Sequence, residues 1–156
     1  MLKAETTPAC RAGIAAAVLA VLASMAMPAD AADWLAVSGF SWHFQERRHW
    51  RQINPGLGVE RDMDESGYGP WALTAGYLRN SYDKHSVYGG VRWTPLAAGP
   101  FRFGLYGLAA SGYPSPILVL PVITVEGRNI GANLIAVPNL PGYSGYLGLQ
   151  LRFALP

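Results

Sequence analysis

A histidine and a serine are the residues of this chain whose types suit nucleophilic chemistry. His43 ends the first segment of alternating apolar and polar residues, and Ser81 follows the third such segment. An imidazole that takes the proton of a serine hydroxyl turns that hydroxyl into a nucleophile. If the segments are antiparallel strands, both residues lie at the same end of the fold. They are then either a base–nucleophile pair on one rim or two ordinary surface residues without a catalytic role.

Motifs for other chemistries are missing from the sequence. There is no G-x-S-x-G, no H-E-x-x-H and no glycine-rich loop followed by lysine that would cradle a phosphate. His49 and His85 also fall in connections near the predicted rim, but their spacing supports no metal site. We therefore predict no metal and no cofactor. A net charge of +2 is too small to indicate a nucleic-acid partner.

The first 31 residues have the pattern of a secretory signal peptide. Lys3 and Arg11 precede an apolar run over residues 14–23, and an A-D-A sequence ends at Ala31. The run is too short to cross a bilayer as a helix, so cleavage after Ala31 is predicted. The sequence thus divides into a signal peptide, 1–31, and a single domain, 32–156. Cys10 is the only cysteine, so the domain contains no disulfide and no thiolate ligand.

The composition of the chain favours a membrane protein built from strands. Hydrophobic residues make up 51% and charged residues only 14%, where about 25% charged residues is usual. After residue 31 no apolar run approaches the roughly 20 residues that a membrane helix needs. A secreted, charge-poor and glycine-rich chain of this kind is typical of a transmembrane β-barrel in the outer membrane.

Alternation with a period of two divides the domain into eight predicted strands. They are residues 34–44, 56–63, 70–79, 86–93, 101–110, 117–126, 129–137 and 145–153. Eight is the smallest number that closes a membrane barrel. The predicted fold is all-β, an eight-stranded antiparallel transmembrane barrel of up-and-down topology, monomeric and located in the outer membrane. The alternative is a soluble β-sandwich or lipocalin-like barrel, which also alternates.

The first predicted strand illustrates how the faces are assigned. Its apolar residues Trp34, Ala36, Phe40 and Trp42 are separated by small or polar ones such as Ser41. A single unbroken alternation would place all four apolar residues on the membrane-facing side. Polar residues of this strand would then face the lumen.

Charged residues on the lumen side fall towards the periplasmic end of the predicted barrel. Buried charges must be paired, so we predict an ion-pair network that closes the floor of the lumen. Smaller residues towards the opposite end leave room for a pocket that opens to the outside. The alternative is a filled lumen with only a structural role. The predicted floor residues are Glu60, Asp62, Arg92, Arg102 and Arg152.

Three prolines fall where the sixth and seventh predicted strands should pair. Pro116 and Pro121 belong to the sixth segment, and Pro138 closes the seventh. Proline cannot donate to a sheet ladder, and in a bilayer no water replaces the missing hydrogen bond. We therefore predict fewer backbone hydrogen bonds between these two strands, which would give a lipid lateral access to the lumen. The alternative interpretation is that Pro116 and Pro138 simply end their strands.

Four short motifs, taken in order, resemble the PagP-type lipid A palmitoyltransferases. They are SWHF at 41–44, NSYDK at 80–84, YGGVRWTPL at 88–96, and PILVLPVITVEG at 116–127 followed by VP at 137–138. Together they span the chain from about residue 40 to the C-terminus. The resemblance implies an outer-membrane barrel that transfers an acyl chain from a phospholipid to lipid A. It also implies that His43, Asn80 and Ser81 occupy the positions required for transfer.

The chain departs from that family at Asn80 and at Arg92. Asn80 stands where the family has aspartate, and a neutral amide cannot raise the basicity of an imidazole as a carboxylate does. Arg92 falls at or near the glycine that floors the family's acyl pocket. Two alternatives therefore stand beside the acyltransferase: a non-enzymatic small barrel for envelope integrity or adhesion, and a lipid A deacylase. The close H-x-S arrangement of the deacylases is absent around His43.

Overall fold

The computed structural model describes residues 33–45, 50–139 and 144–156, with backbone only for residues 64–66. These residues form eight antiparallel strands in which each strand pairs with the next and the last pairs with the first. The predicted eight-stranded antiparallel barrel is confirmed. The predicted signal peptide, residues 1–31, lies outside the described residues. Within the described ranges no helix is long and apolar enough to span a membrane.

The strand boundaries follow the predicted alternation closely. The second strand begins earlier than predicted, and the second and fourth strands both end later, which lengthens the hairpins that follow them at the end of the barrel where the charged residues lie. The strands are β1 Asp33–His43, β2 Ile53–Ser66, β3 Gly69–Arg79, β4 His85–Ala98, β5 Phe101–Ala110, β6 Ile117–Glu126, β7 Ile130–Val137 and β8 Tyr146–Ala154.

The barrel wall is apolar on the outside, and most of the largest fully buried side chains on the inside are polar or charged. Large apolar side chains that stay exposed on the outer wall include Leu57, Val119 and Leu149. Fully buried side chains inside include Glu60, Thr124, Asn133 and Arg152, which are polar or charged. A soluble barrel would bury its apolar residues and expose its polar ones. The polarity of this barrel is therefore inverted.

A β-bulge in β1 overturns the face predicted for Trp34 and Ala36. The register of β1 shifts between Ser38 and Phe40 against both of its neighbours. One extra residue reverses the side to which all earlier side chains point. Trp34 and Ala36 are consequently buried inside the barrel, whereas Phe40 and Trp42 are exposed on the outer wall as predicted.

Short turns close the barrel at the end where β1 starts and β8 finishes. The β4–β5 hairpin pairs Ala98 with Phe101 and leaves only Gly99 and Pro100 in the turn. Gly99 has a φ of +59°, a conformation that glycine reaches without steric cost. The longer β1–β2, β3–β4 and β5–β6 connections lie at the opposite end, which we call the rim. They surround the candidate site.

The β6–β7 ladder covers only half the height of the barrel. Its pairs run from Glu126 with Gly131 to Val122 with Ile135, and no pair follows towards the rim. Residues 117–121 of β6 remain paired with β5 on their other side. The two strands therefore separate at Pro121.

Candidate active site and lumen floor

Two arginines and three carboxylates close the lumen. Arg92 and Arg152 each form ion pairs with Glu60, Asp62 and Glu126, at N–O distances between 2.6 and 3.3 Å. The side chains of both arginines and of Glu60 are almost completely buried. Each charge thus faces at least two opposite charges, and Asp62 and Glu126 keep partial contact with solvent.

Trp34 extends this network towards the end of the barrel. Its indole Nε1 donates to Oδ2 of Asp62 over 2.6 Å, and the guanidinium of Arg152 lies 4.4 Å from the centre of its ring. Arg102 lies at the same end, half-buried, on the strand position opposite Thr124. It takes part in none of the ion pairs among the described side chains, so its predicted share in the floor network stays a prediction.

A layer of neutral polar groups lies above the ion pairs. The hydroxyl of Tyr106 donates to Glu60 over 2.9 Å, and Asn133 donates to Tyr106 and to Gln150. Gln150 in turn donates to the hydroxyl of Tyr88. These bonds join five strands across the lumen, so the floor is a connected polar layer.

Above this layer the lumen contains a cavity of about 510 Å³ that reaches the rim. Its two sides differ in polarity. Strands β1 and β2 and the β3–β4 connection contribute Ser41, His43, Asn54 and Ser81. Strands β5, β6 and β7 contribute Leu108, Leu118, Leu120, Ile135 and Val137. An apolar chain can therefore lie against one wall while a polar group at its end meets the other.

His43 is held between two aromatic rings. The ring of Trp50 is stacked on it at a centroid distance of 4.8 Å, and Tyr146 lies at 5.3 Å. These contacts fix the plane of the imidazole. Its Nδ1 is buried and has no hydrogen-bond partner among the described residues.

Ser81 lines the same cavity but does not hydrogen-bond to His43. Its hydroxyl lies 3.2 Å from that of Ser41, and the amide of Asn54 donates to it over 3.4 Å. The structure therefore brings the predicted histidine and serine to one cavity without direct contact. A reacting group would have to lie between them.

Asn80 lies apart from the imidazole and holds the β3–β4 connection in shape. Its Oδ1 accepts the backbone N–H groups of Tyr82 and Lys84 at 3.0 and 3.1 Å, and its Nδ2 donates to the carbonyl of Gly112. Gly112 has a φ of +77°, and a Cβ there would lie 3.0 Å from the amide nitrogen of Asn80. The Asn80 side chain is fully buried, and these bonds engage both its amide oxygen and its amide nitrogen. Through these bonds Asn80 fixes the backbone of the β3–β4 connection and thereby the position of Ser81.

The three predicted access prolines lie around the opening between β6 and β7. Pro121 is the last residue of β6 before the ladder to β7 begins, and its position faces outward. Pro116 precedes β6 and Pro138 follows β7. The interrupted ladder thus borders the apolar wall of the cavity, to which Leu120 and Val137 belong.

Charged side chains border the rim next to Ser81. Arg51 and Arg79 both form ion pairs with Asp83, at 3.0 and 2.8 Å. Hydrogen bonding from Arg79 holds the pKa of Asp83 below its usual value, and Arg51 acts in the same direction. The backbone N–H of Arg51 donates to the carbonyl of Ser81. This cluster ties the β1–β2 connection to the β3–β4 connection.

Sequence reasoning missed Asn54 as part of the site. The Asn-Pro pair at 54–55 has the composition of a turn and was assigned to the connection before β2. In the structure β2 already begins at Ile53, so Asn54 is an inward strand residue with 7% of its surface exposed. Ser41 was predicted to face the lumen, but not to contact Ser81.

Comparison with known proteins adds no assignment to this geometry. No family model matches the chain, and no curated protein matches its sequence.

Proposed function

We propose that this protein is an outer-membrane acyltransferase that moves an acyl chain from a phospholipid to lipid A in the outer leaflet. The observation that carries the proposal is the two-sided cavity. Its polar wall holds His43 and Ser81, and its apolar wall adjoins the opening between β6 and β7. A lipid tail entering there from the membrane would place its ester near the polar wall.

Insertion into the membrane is supported by the outer wall of the barrel. Exposed aromatic side chains lie near both ends of the strands: Phe40, Trp42 and Tyr77 towards the rim, and Trp93, Phe101 and Phe153 towards the other end. Aromatic girdles on either side of an apolar band are typical of outer-membrane barrels. A cleaved signal peptide, as predicted for residues 1–31, agrees with this location.

The proposed chemistry uses Ser81 as the nucleophile. Its oxygen bonds to the ester carbonyl carbon of the phospholipid, the bond to the glycerol oxygen breaks, and the hydroxyl proton passes through His43 to that oxygen. A hydroxyl of lipid A then attacks the acyl-enzyme and restores Ser81. Because Nδ1 of His43 has no hydrogen-bond partner in the part of the chain that the structure describes, it can take up this proton and release it again.

Mass spectrometry of lipid A tests the proposal. Cells that express the parent chain should carry lipid A with one additional acyl chain, and His43→Ala or Ser81→Ala should abolish it. His85→Ala is the matched control, because His85 is exposed on the outer wall and contacts Tyr77. Unmodified lipid A with a folded parent protein would overturn the proposal.

A second candidate is a non-enzymatic small barrel with a role in envelope integrity or adhesion. The observation in its favour is that His43 and Ser81 share no hydrogen bond, while Asn80 serves the fold of the loop. A barrel of this kind would leave lipid A unchanged, and His43→Ala and Ser81→Ala would preserve its phenotype.

A further inference from the structure

Three side chains on consecutive strands form a small hydrogen-bonded cluster beside the cavity. Ser41 lies near the end of β1, Asn54 near the start of β2, and Ser81 directly after β3. Ser41 Oγ donates to Asn54 Oδ1 over 2.6 Å, and Asn54 Nδ2 donates to the carbonyl of Arg79 over 3.2 Å and to Ser81 Oγ over 3.4 Å. Only 6% of Ser41 and 7% of Asn54 is exposed.

These bonds determine the direction of the Ser81 proton. The single hydroxyl proton of Ser41 is used by Asn54, so in the 3.2 Å contact Ser81 is the donor and Ser41 the acceptor. A lone pair of Ser81 is at the same time held by the Asn54 amide. In the resting site the hydroxyl is thus engaged at both its donor and its acceptor side, and its proton has to leave Ser41 before it can pass to His43.

The bulge in β1 is what brings this cluster together. The first half of β1 points Trp34 and Ala36 into the lumen, and an unbroken strand would then point Ser41 outward. The register shift between Ser38 and Phe40 reverses this, so that Ser41 faces the lumen. The backbone N–H of Ser41 also donates to the carbonyl of Gln52, two residues before Asn54. The start of β2 is therefore held close to Ser41.

We infer that Ser41 and Asn54 are the positioning residues for the Ser81 hydroxyl, in place of Asn80, whose side chain is used by the loop backbone and Gly112. The inference rests on the proposed acyl transfer. Neither group can act as the base: the chain of hydrogen bonds ends at an amide oxygen, which does not accept a proton at neutral pH. Their role is to hold the oxygen of Ser81 towards the cavity, where an ester would meet it.

The loss of a positioning group lowers the rate of the chemical step more than it weakens substrate binding. Ser41→Ala and Asn54→Ala should each lower kcat by about tenfold or more and leave KM nearly unchanged. Ser41→Thr keeps the hydroxyl and should restore most of the rate. Asn54→Asp keeps the acceptor for Ser41 but cannot donate to Ser81, so it should resemble Asn54→Ala.

Two rim residues outside the cavity provide matched controls. Ser111 Oγ accepts the backbone N–H of Val87, and Asn139 Oδ1 accepts that of Gly145. Ser111→Ala and Asn139→Ala each remove one side-chain hydrogen bond from a rim segment, whereas Ser41→Ala removes two and Asn54→Ala three. Both should transfer acyl chains at the parent rate. Equal kcat for Ser41→Ala, Asn54→Ala and these controls, with an active parent, would overturn the inference and keep the proposed function.

A second measurement does not require acyl transfer. Ser81→Cys in a Cys10→Ser background places the only thiol of the chain at this position. Iodoacetamide alkylation across a pH series reports its reactivity and its pKa. Adding Asn54→Ala should raise the pKa and slow alkylation by about threefold or more near pH 8, because the amide no longer stabilises the thiolate.

The two measurements separate the possible failures. A parent chain that transfers no acyl group, but whose introduced thiol responds to Asn54→Ala, overturns the proposed function and supports the contact. A thiol with the same rate and the same pKa with and without Asn54 overturns the inference, whether or not the parent is active. The control in this arm is Asn139→Ala, which should leave the thiol unchanged.

Discussion

The guanidinium of Arg92 donates from Nε to Oε1 of Glu60 over 2.8 Å, and the two side chains are 2% and 0% exposed. They belong to strands β4 and β2, which are not neighbours in the barrel. The bond therefore crosses the lumen rather than following the sheet. It is the centre of the floor that closes the cavity from below.

Removal of Arg92 should destabilise the barrel strongly. Arg92→Ala leaves Glu60, Asp62 and Glu126 with Arg152 alone, and the loss of one partner from a buried pair costs about 3–5 kcal/mol. Urea unfolding of the refolded barrel in detergent measures the difference. Arg51→Ala is the control, because the Arg51–Asp83 pair is exposed and should contribute little.

A double variant tests whether the cost arises from unpaired charge. Glu60→Gln combined with Arg92→Met removes one charge of each sign, so it should destabilise the barrel by less than the sum of the two single variants. Additive effects would mean that the two side chains contribute independently.

Asn80→Asp should impair the loop rather than improve the chemistry. A carboxylate still accepts the N–H groups of Tyr82 and Lys84, but it brings an oxygen against the carbonyl of Gly112, which now receives an N–H at 3.1 Å. We expect a lower thermal midpoint and slower acyl transfer. The family resemblance alone suggests the opposite, because it places aspartate here.

Asn139→Asp is the control for this substitution. Asn139 also accepts a backbone N–H, that of Gly145, through its Oδ1, and this bond survives the change. The Asn139→Asp variant should therefore have the same thermal unfolding midpoint as the parent. An Asn80→Asp variant that is as stable as the parent and transfers faster would contradict the structural role given to Asn80.

The titration of Asp83 should depend on Arg79 more than on Arg51. Hydrogen bonding from Arg79 is the largest cause that lowers the pKa of Asp83 below 3.8. Because the folded pKa is the lower one, the interaction stabilises the fold above the unfolded pKa and is lost as the pH falls through the folded pKa. Arg79→Ala should raise this pKa towards its ordinary value, and Arg51→Ala should raise it less.

Carboxyl 13C NMR of the barrel in micelles follows this titration directly. Added salt should reduce the difference between the variants and the parent, because the pairs are exposed. The carboxyl of Asp33, which is paired with Arg61 at the other end of the barrel, should titrate alike in all of them. Equal Asp83 curves in the parent and in Arg79→Ala would contradict the ion pair.

The strands were predictable because alternation is a local property of the sequence. Leu147, Leu149 and Leu151 alternate with Gly148 and Gln150, and β8 follows that pattern throughout. The face predicted for Trp34 was wrong because a bulge at Gly39 inserts one residue into β1. A glycine within a strand is compatible with a bulge but does not identify one. Residues 34–37 are all apolar, so their polarity does not show which of them face the lumen.

The contacts of the site depended on distances that no sequence pattern contains. Asn80 donates to Gly112, which is 32 residues away, and Asn54 reaches Ser81 across 27 residues. His43 and Ser81 could be placed on one rim from the strand count alone. Whether they touch depends on the rotation of each strand end, which the bulge in β1 and the turn at Asn80 determine.

Closing the opening between β6 and β7 should stop acyl transfer. Extending the register beyond Val122 and Ile135 would place Leu120 opposite Val137, and both side chains line the cavity. Leu120→Cys with Val137→Cys, in a Cys10→Ser background, allows the gap to be joined by oxidation or by a short bismaleimide. The joined form should transfer acyl chains at about one tenth of the rate of the reduced form or below, since a lipid tail can no longer enter there.

The matched control joins two strands that are already paired. Leu108→Cys with Leu118→Cys places thiols on β5 and β6 at a directly paired position, and both residues line the same cavity. Its oxidation adds a bond without closing an opening, so the rate should stay that of the reduced protein. Reduction of a disulfide across the gap should restore transfer, which excludes damage by the substitutions themselves. If the gap pair transfers equally fast when joined and when reduced, lipid does not enter between β6 and β7.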